Sequence, residues 1–462
     1  MKLVLAISLL GLALAGHSAE EWKSRTIYQV LTDRFARNDG DTSICYNLAN
    51  YCGGGFVGLM NNLDYIQNMG FDAIWISPIV KNTPGGYHGY WTLDFYGINS
   101  HFGTEQDLAN LISEMHRRDM WVMLDVVANH VGPIGTSLSN VGEINPFNQK
   151  SYYHPYCKIN WDSKYSIENC WLADLPDLDQ SNNFVRENLL KWISEIVTKH
   201  NIDGIRIDTC EEVPQWFWKQ FNSSAGVFTI CEVANGSVEL NAGYQSAVDA
   251  TLNYPLFYVL RNLFQKDNSF YNAVNFMHQS KNSYQDINTL GNFVDNHDQY
   301  RFLYDYLKYN RFKNALAFTM TWPGIPIVYY GDEQGYDGGK TPNNREILWT
   351  NLNNTSSEMY QFVSKIVHFR KEMELWKYDF VDRYHADNFY CFSRGKALMA
   401  FSNTDSNIHY TVSYHPYKVG DVICNIFYAT DCVTVTTEGV PVYLDQGEVK
   451  LYKPKASSVV SA

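Results

Sequence analysis

Eight short apolar runs recur along most of the 462-residue chain, and segments of helical periodicity separate them. The runs are TIYQVLTDRF, FDAIWISP, MWVMLDVVANH, IDGIRIDT, VFTICEV, DATLNYP, GNFVDNHD and GIPIVYYGDE. Two of the intervening segments show why they read as helices. In TEQDLANLISEMHRRDM, Thr104 and Asp107 have capping-box spacing, and Leu108, Leu111, Ile112 and Met115 share one face. In FVRENLLKWISEIVTKH, Val185, Leu189, Trp192, Ile193 and Ile196 form one stripe. A strand followed by a helix, eight times over, predicts an α/β fold whose parallel sheet closes on itself, the (β/α)8 TIM barrel. An open doubly wound sheet is the alternative for the same alternation.

The alternation breaks twice. Residues 130–178, after the third run, are rich in Gly, Pro, Asn and Tyr with little periodicity, which predicts an insertion subdomain on the rim of the barrel. After about Trp376 the helical pattern stops, and runs such as NFYCFSRGKALMAFSN and DVICNIFYAT predict an antiparallel β domain. The expected domains are therefore a barrel over 20–129 and 179–376, the insertion 130–178, and a β domain over 377–454. A disordered tail is expected over 455–462. The opening MKLVLAISLLGLALAGHSA, residues 1–19, reads as a secretory signal peptide cut between Ala15 and Ala19. A membrane anchor fits less well, because the apolar run is short.

Composition narrows the partners. Asp and Glu total 49 against 36 Lys and Arg, a formal charge of −13, which repels phosphate backbones and argues against nucleic acid. No later stretch is long enough to span a bilayer, so a soluble, exported, extracellular protein with no membrane partner is expected. A monomer is expected as well. The 33 tyrosines, 25 phenylalanines and 12 tryptophans are mostly core material, yet flat aromatic faces also suit sugar rings. Nine cysteines fit an oxidising compartment. Close spacing pairs Cys45 with Cys52, Cys157 with Cys170, and Cys424 with Cys432. Cys210, Cys231 and Cys391 lie in apolar runs and are expected to be free and buried. Asn222, Asn353 and Asn354 head glycan-acceptor sequons, and so does Asn235, close to the candidate site.

In a barrel of this kind the chemistry lies where strands end and loops begin. The third run ends with Asp125, Asn129 and His130, the fourth with Arg206 and Asp208, the fifth with Glu232, and the seventh with His297 and Asp298. A lone strand-end Asp is more often a helix cap, a lone Arg beside it an ordinary ion pair, and a lone His a satisfied rim residue. Polar groups at four rim positions exceed what capping needs. Arg206 and Asp208 are two residues apart, so both face the barrel axis. The positive charge favours the ionised form of Asp208, which fits a nucleophile or an electrostatic brace. Glu232, preceded by Phe228, Ile230 and Cys231, sits in less polar surroundings and is the candidate proton donor. Two carboxyls of unequal proton affinity serve glycoside hydrolysis. One protonates the leaving oxygen; the other meets the cation developing at the sugar carbon. His130 and His297 would hydrogen-bond sugar hydroxyls. These residues alone leave retaining and inverting chemistry both open.

DVVANH (125–130), GIRID (204–208), the glutamate of ICEV (Glu232) and FVDNHD (293–298) resemble the four motifs of the alpha-amylase family, glycoside hydrolase family 13. LPDLD (175–179) resembles its fifth. TDRFAR, YCGGGF, GYHGYW, HPYC, GIPIVYYGDEQ and NREILW are similar to the secreted fungal members, and the likeness runs from about Trp22 through the C-terminal β region. The resemblance implies a barrel, a calcium-holding insertion after strand three and a C-terminal antiparallel β-sandwich. It implies retaining endo-hydrolysis of α-1,4-glucan through a covalent glycosyl-enzyme. Asp208 would be the nucleophile, Glu232 the general acid/base and Asp298 the transition-state stabiliser, with His130, Arg206 and His297 in support. Tyr90 would stack on the sugar at the cleavage point with Trp91 beside it, and Arg345 would bind sugar on the non-reducing side. Ca2+ would take side-chain oxygens of Asn129, Glu168 and Asp177 and a backbone carbonyl of Glu212, hard donors suited to that cation. Chloride is not implied.

The chain departs from the fungal pattern at Glu211 and Glu212, where Lys-His is typical and lines the sites for the departing half of the substrate. It departs again at Thr341, where an Asp commonly sits. Product length and the balance of hydrolysis against transfer stay open on these grounds. A transglycosylase of the same fold and a non-catalytic glucan binder are the alternatives to a hydrolase.

Overall fold

The computed structural model describes residues 16–304 and 306–455. Most of the expected leader and of the expected tail lies outside the described residues.

All eight apolar runs contain strands: β1 Ile27–Val30, β2 Ala73–Ile76, β3 Trp121–Val126, β4 Gly204–Ile207, β5 Phe228–Cys231, β6 Ala250–Thr251, β7 Gly291–Asn292 and β8 Ile325–Tyr329. Each pairs in parallel with the next from β1 to β6, β8 pairs with β1, and β7 pairs with β8. A parallel bridge from Leu252 to Gly291 joins the β6 side to β7 and closes the ring. The open sheet is excluded.

Strand alternation sorts the side chains into two shells. In β3, Trp121 and Met123 belong to the inner cluster with Ile27, Trp75, Ile230, Phe293 and Ile327. Val122, Leu124 and Val126 face outward onto the helices. In β4, Ile205 and Ile207 face outward, which turns Arg206 and Asp208 inward. Gly204 begins β4 where only a hydrogen fits, because a Cβ there would lie 2.7 Å from Trp22, the ring that plugs the bottom of the barrel.

The two helices expected from their stripes form as α1 Glu105–Arg117 and α2 Asn183–His200. Thr104 and Asp107 make the reciprocal capping box. Residues 130–178 leave the barrel after β3 as turns and single helical coils. Their two ends are zipped together by a His130–Asp177 bridge and a Val131 N–H to Pro176 carbonyl bond of 3.1 Å.

Beyond the barrel lie β9 Phe380–His385, β10 Phe389–Arg394, β11 Ala397–Ser402, β12 Ile408–Val412, β13 Val422–Asn425, β14 Cys432–Thr434, β15 Val440–Leu444 and β16 Lys450–Pro454. Six form one antiparallel sheet in the order β9-β10-β11-β16-β13-β14, and β12 pairs with β15. Phe389, Leu398, Val412, Val440 and Val442 fill the layer between the two sheets. The opposite face of the larger sheet meets α3 Tyr309–Thr321, where Phe318 stacks among Phe392, Phe401 and Trp322.

Cys45–Cys52, Cys157–Cys170 and Cys424–Cys432 are disulfides, as their spacing predicts. Cys391 is free and buried. The expectation for Cys210 and Cys231 is overturned: they are bonded to each other, with Cα atoms 5.9 Å apart. The physical reason is strand pairing. β4 and β5 are neighbours with Ile207 opposite Cys231, and the chain turns back after Asp208 to bring Cys210 over that pair. Apolar surroundings read along the chain do not reveal this.

Candidate active site

Arg206 is fully buried in β4 and organises the rim. Its Nη1 donates to Asp208 Oδ1 at 2.7 Å and to Asp125 at 2.9 and 3.2 Å. Its Nη2 lies 2.7 Å from Glu232 Oε2. Asp125 Oδ2 also accepts the Trp75 indole N–H at 3.0 Å and the Tyr90 hydroxyl at 2.6 Å. Glu232 is held further by the Thr209 N–H at 3.2 Å and the Tyr254 hydroxyl at 3.1 Å.

Glu232 is therefore not in the less polar of the two environments. One guanidinium serves Asp208 and Glu232 alike. Three buried carboxyls around a single cation leave a surplus of negative charge that the interior disfavours. Burial raises Asp125 to about 6, against the pull of Arg206. Burial likewise pushes Asp208 well above the usual carboxylate range, with Arg206 opposing and the charges of Glu232 and Asp125 adding to the rise. The arginine thus works against the effect of burial on Asp208. Two carboxyls held against one guanidinium are the pair of groups that acid-assisted displacement at a sugar carbon uses.

Asp298 joins from the other side. Its Oδ2 is 3.2 Å from His297 Nε2, and its Oδ1 accepts from Arg345 Nη2 at 3.3 Å. Gln29 donates to His297 Nδ1 at 3.0 Å, so the Nε2–H points at Asp298. Burial, with Arg345 and Arg206 nearby, holds His297 well below the usual imidazole range, so it is a neutral donor. Asn296 links the two halves: it donates to the Tyr254 hydroxyl at 3.0 Å and accepts the Asp298 N–H at 3.0 Å. Arg345 also bonds the His297 carbonyl at 2.9 Å and the Tyr87 hydroxyl at 3.1 Å.

The Tyr90 ring lies parallel to that of His297, at 5.1 Å and 4° between planes, at the edge of this cluster. Trp91 follows it, half-buried, with His88 edge-on at 4.8 Å. His130 is tied down: Asn129 donates to its Nδ1 at 3.2 Å and its Nε2 meets the Tyr90 carbonyl at 3.2 Å. Burial lowers it to about 4.

The predicted metal ligands show one shared anomaly. Asn129 Oδ1, Glu168 Oε1 and Asp177 Oδ1 are all buried without a hydrogen-bond partner. Glu168 Oε1 has only an ion pair with Lys164 at 3.5 Å, and Asp177 uses its other oxygen on His154 at 2.6 Å. Asn129 and Asp177 are backbone neighbours, through the Leu178 N–H to the Asn129 carbonyl at 2.8 Å. Orphaned buried oxygens of this hard type are what an oxygen-ligated cation satisfies, so the residues fit the group. Among the described residues no three His, Cys, Asp or Glu side chains assemble as a metal site, and this set contains two carboxylates and an amide.

Glu211 is half-buried and Glu212 buried, directly after the β4 turn. Burial, followed by the charge of Glu232, raises Glu212 to about 8. Glu211 is raised by burial too, while a bond to Asn235 works against the rise. The pair thus brings two carboxyls of raised proton affinity to the rim. Thr341 is exposed on the loop leading to Arg345.

Sequence reasoning missed Tyr254, Trp75, Tyr87, Gln29 and Asn296. Tyr254 lies near the end of the DATLNYP run and was open to the same strand-end inspection that found Glu232. Nothing local marks Trp75 or Gln29, whose partners lie on another strand and on the loop after β7.

A closed barrel with acids from β4, β5 and β7 meeting at the C-terminal ends of its strands defines the class of barrel glycoside hydrolases. Residues 29–377 match the family model described as Alpha amylase, catalytic domain. The chain is 40% identical to Alpha-amylase 2 of Schwanniomyces occidentalis, the alignment covering 95% of this chain and 92% of that one. It is 36% identical to an alpha-amylase of Saccharomycopsis fibuligera over the same shares. Among solved structures, an alpha-amylase from Malbranchea cinnamomea superposes with a TM-score of 0.91 at 36% identity, over 95% of this chain and 98% of that one. The chain belongs to the alpha-amylase family.

Proposed function

We propose that the protein is an α-amylase that cleaves internal α-1,4-glucosidic bonds of starch, glycogen and maltooligosaccharides with retention. The single observation that carries this is the Arg206 guanidinium holding Asp208 and Glu232 at 2.7 Å each. A shared guanidinium is a short tether, which favours the close carboxyl spacing of about 5 Å that retaining glycosidases use.

In this reading Asp208 attacks the sugar carbon and forms the covalent glycosyl-enzyme. Glu232 protonates the departing oxygen and then activates water. Asp298, steadied by His297 and Arg345, faces the positive charge that develops on the ring. Tyr90 offers its face to the sugar, with Trp91 beside it. Ca2+ would be held by Asn129, Glu168, Asp177 and the main chain of Glu212, fastening the excursion 130–178 to the barrel. The family is generally calcium-dependent, and the ion supplies rigidity there. The domain limits read from the sequence, an extracellular location and a monomeric state complete the proposal. Four disulfides support the location.

The test is digestion of one pure maltooligosaccharide by the parent and by Asp208→Asn. Shorter products from the parent, and turnover lowered by at least about a thousandfold in the variant with glucan binding kept, are expected. An unchanged reducing-end count for the parent would revive the non-catalytic binder. A second reading, transglycosylation, is favoured by Glu211 and Glu212 on the rim. It expects products longer than the starting sugar at early times, and a changed product profile in Glu211→Lys/Glu212→His.

A further inference from the structure

Thr209 follows Asp208 directly and has a φ of +49°, in the left-handed region. It is the sole β-branched residue among the described non-glycine residues with positive φ. Branching at Cβ makes that conformation unfavourable, and an unanchored threonine leaves it. The side chain does not compensate, since Thr209 Oγ1 is buried without a hydrogen-bond partner. What the turn achieves is in the main chain. The Thr209 N–H reaches Glu232 Oε2 at 3.2 Å. The Cys210 N–H bonds the Glu232 carbonyl at 2.9 Å, and the Glu232 N–H bonds the Ile207 carbonyl at 2.8 Å. One residue on, the buried Cys210–Cys231 disulfide ties the turn to β5 immediately before Glu232. The Trp218 indole closes over the Cys210 carbonyl at 3.0 Å.

We infer that the Cys210–Cys231 disulfide is a positioning element for catalysis: it holds Thr209 in the left-handed turn that aims its N–H at the Glu232 carboxyl. The inference rests on the reading of Glu232 as the proton donor. Without the covalent tie, Thr209 relaxes toward negative φ, its N–H swings off Glu232, and the donor loses its aim although its backbone stays paired. Glycine adopts φ +49° freely, so Thr209→Gly makes the disulfide dispensable for this purpose.

The experiment compares kcat and KM on a pure maltooligosaccharide for Cys210→Ala/Cys231→Ala, for Thr209→Gly, and for the three substitutions together. Cys45→Ala/Cys52→Ala, which removes a disulfide elsewhere, is the control. The loss of one hydrogen bond to an ionisable group corresponds to about tenfold in rate, so kcat of the cysteine-pair variant should fall about tenfold with KM nearly unchanged. Adding Thr209→Gly should restore kcat to within about threefold of the parent, while any loss of thermal midpoint persists. A staple that acts on global stability alone would leave kcat of the folded pair variant intact, as in the control. Unchanged kcat in the pair variant, or a triple variant as slow as the pair, overturns the inference. If the alanine pair does not fold, Cys210→Val/Cys231→Ala, which fills more of the sulfur volume, carries the same comparison. Failure of the underlying reading is separate and visible, because Glu232→Gln would then remain active.

Discussion

Arg206 reaches Glu232 across the β4–β5 boundary, with Nη2 at 2.7 Å from Oε2, while its Nη1 serves Asp125 and Asp208. Among the described residues the guanidinium is the one group that touches both acids of the proposed reaction. Only a planar fork can bind three carboxyls from one buried position.

Arg206→Ala strands these carboxyls without a counter-charge, and breaking a buried pair of this kind costs about 3–5 kcal/mol. Urea unfolding should show that loss. Arg206→Lys keeps the charge but contacts fewer oxygens, so kcat should drop by about two orders of magnitude with a smaller loss of stability. Equal behaviour of the two variants would show that charge alone matters.

Tyr254→Phe removes the hydroxyl that bonds Glu232 Oε1 and receives Asn296. The expected result is a fall in kcat of about tenfold, with KM and the unfolding midpoint little changed, since the ring stays packed. An unaltered kcat would leave the hydroxyl a purely structural role.

His88 and His297 are buried and held well below the ordinary value of 6.5 by desolvation, with Arg345 adding to the effect. Their folded forms stay neutral where the unfolded imidazoles take up protons. The stability they contribute is therefore complete above about pH 6.5 and is lost as pH falls below it, by up to about 1.4 kcal/mol per pH unit for each group. Urea midpoints between pH 7 and pH 5 should fall more steeply for the parent than for His297→Asn. Parallel slopes would remove His297 from the acid sensitivity.

A cation satisfying Asn129, Glu168 and Asp177 binds the folded chain alone. At a hundred times its dissociation constant it would stabilise by about 2.7 kcal/mol. Strong chelators should lower the thermal midpoint of the parent, and added calcium should restore it. Asp177→Ala should make the midpoint indifferent to both. A parent that ignores chelation would take the metal out of this fold.

The strand runs, two of the barrel helices and the rim acids were legible because each depends on a short period. Apolar alternation marks β3 and β4, and the same alternation turns Arg206 and Asp208 inward. Three disulfides were legible because their cysteines are close in sequence. Cys210–Cys231 was not, since it depends on the pairing of Ile207 with Cys231. Tyr254 was within reach of the strand-end argument. Gln29 was not, because its partner His297 lies on the loop after β7 while Gln29 belongs to β1.

The order of residues by itself determined which segments become strands, which side chains face the axis, and that three acids arrive at one end of the barrel. Those are consequences of backbone periodicity, a local property. Only the tertiary structure decided that Glu232 shares its arginine with Asp208, that Thr209 is locked in a left-handed turn, and that burial raises the proton affinity of Asp125 and Asp208. Each of these depends on strand register and on how much water the folded chain excludes, and neither quantity is written in any short stretch of residues.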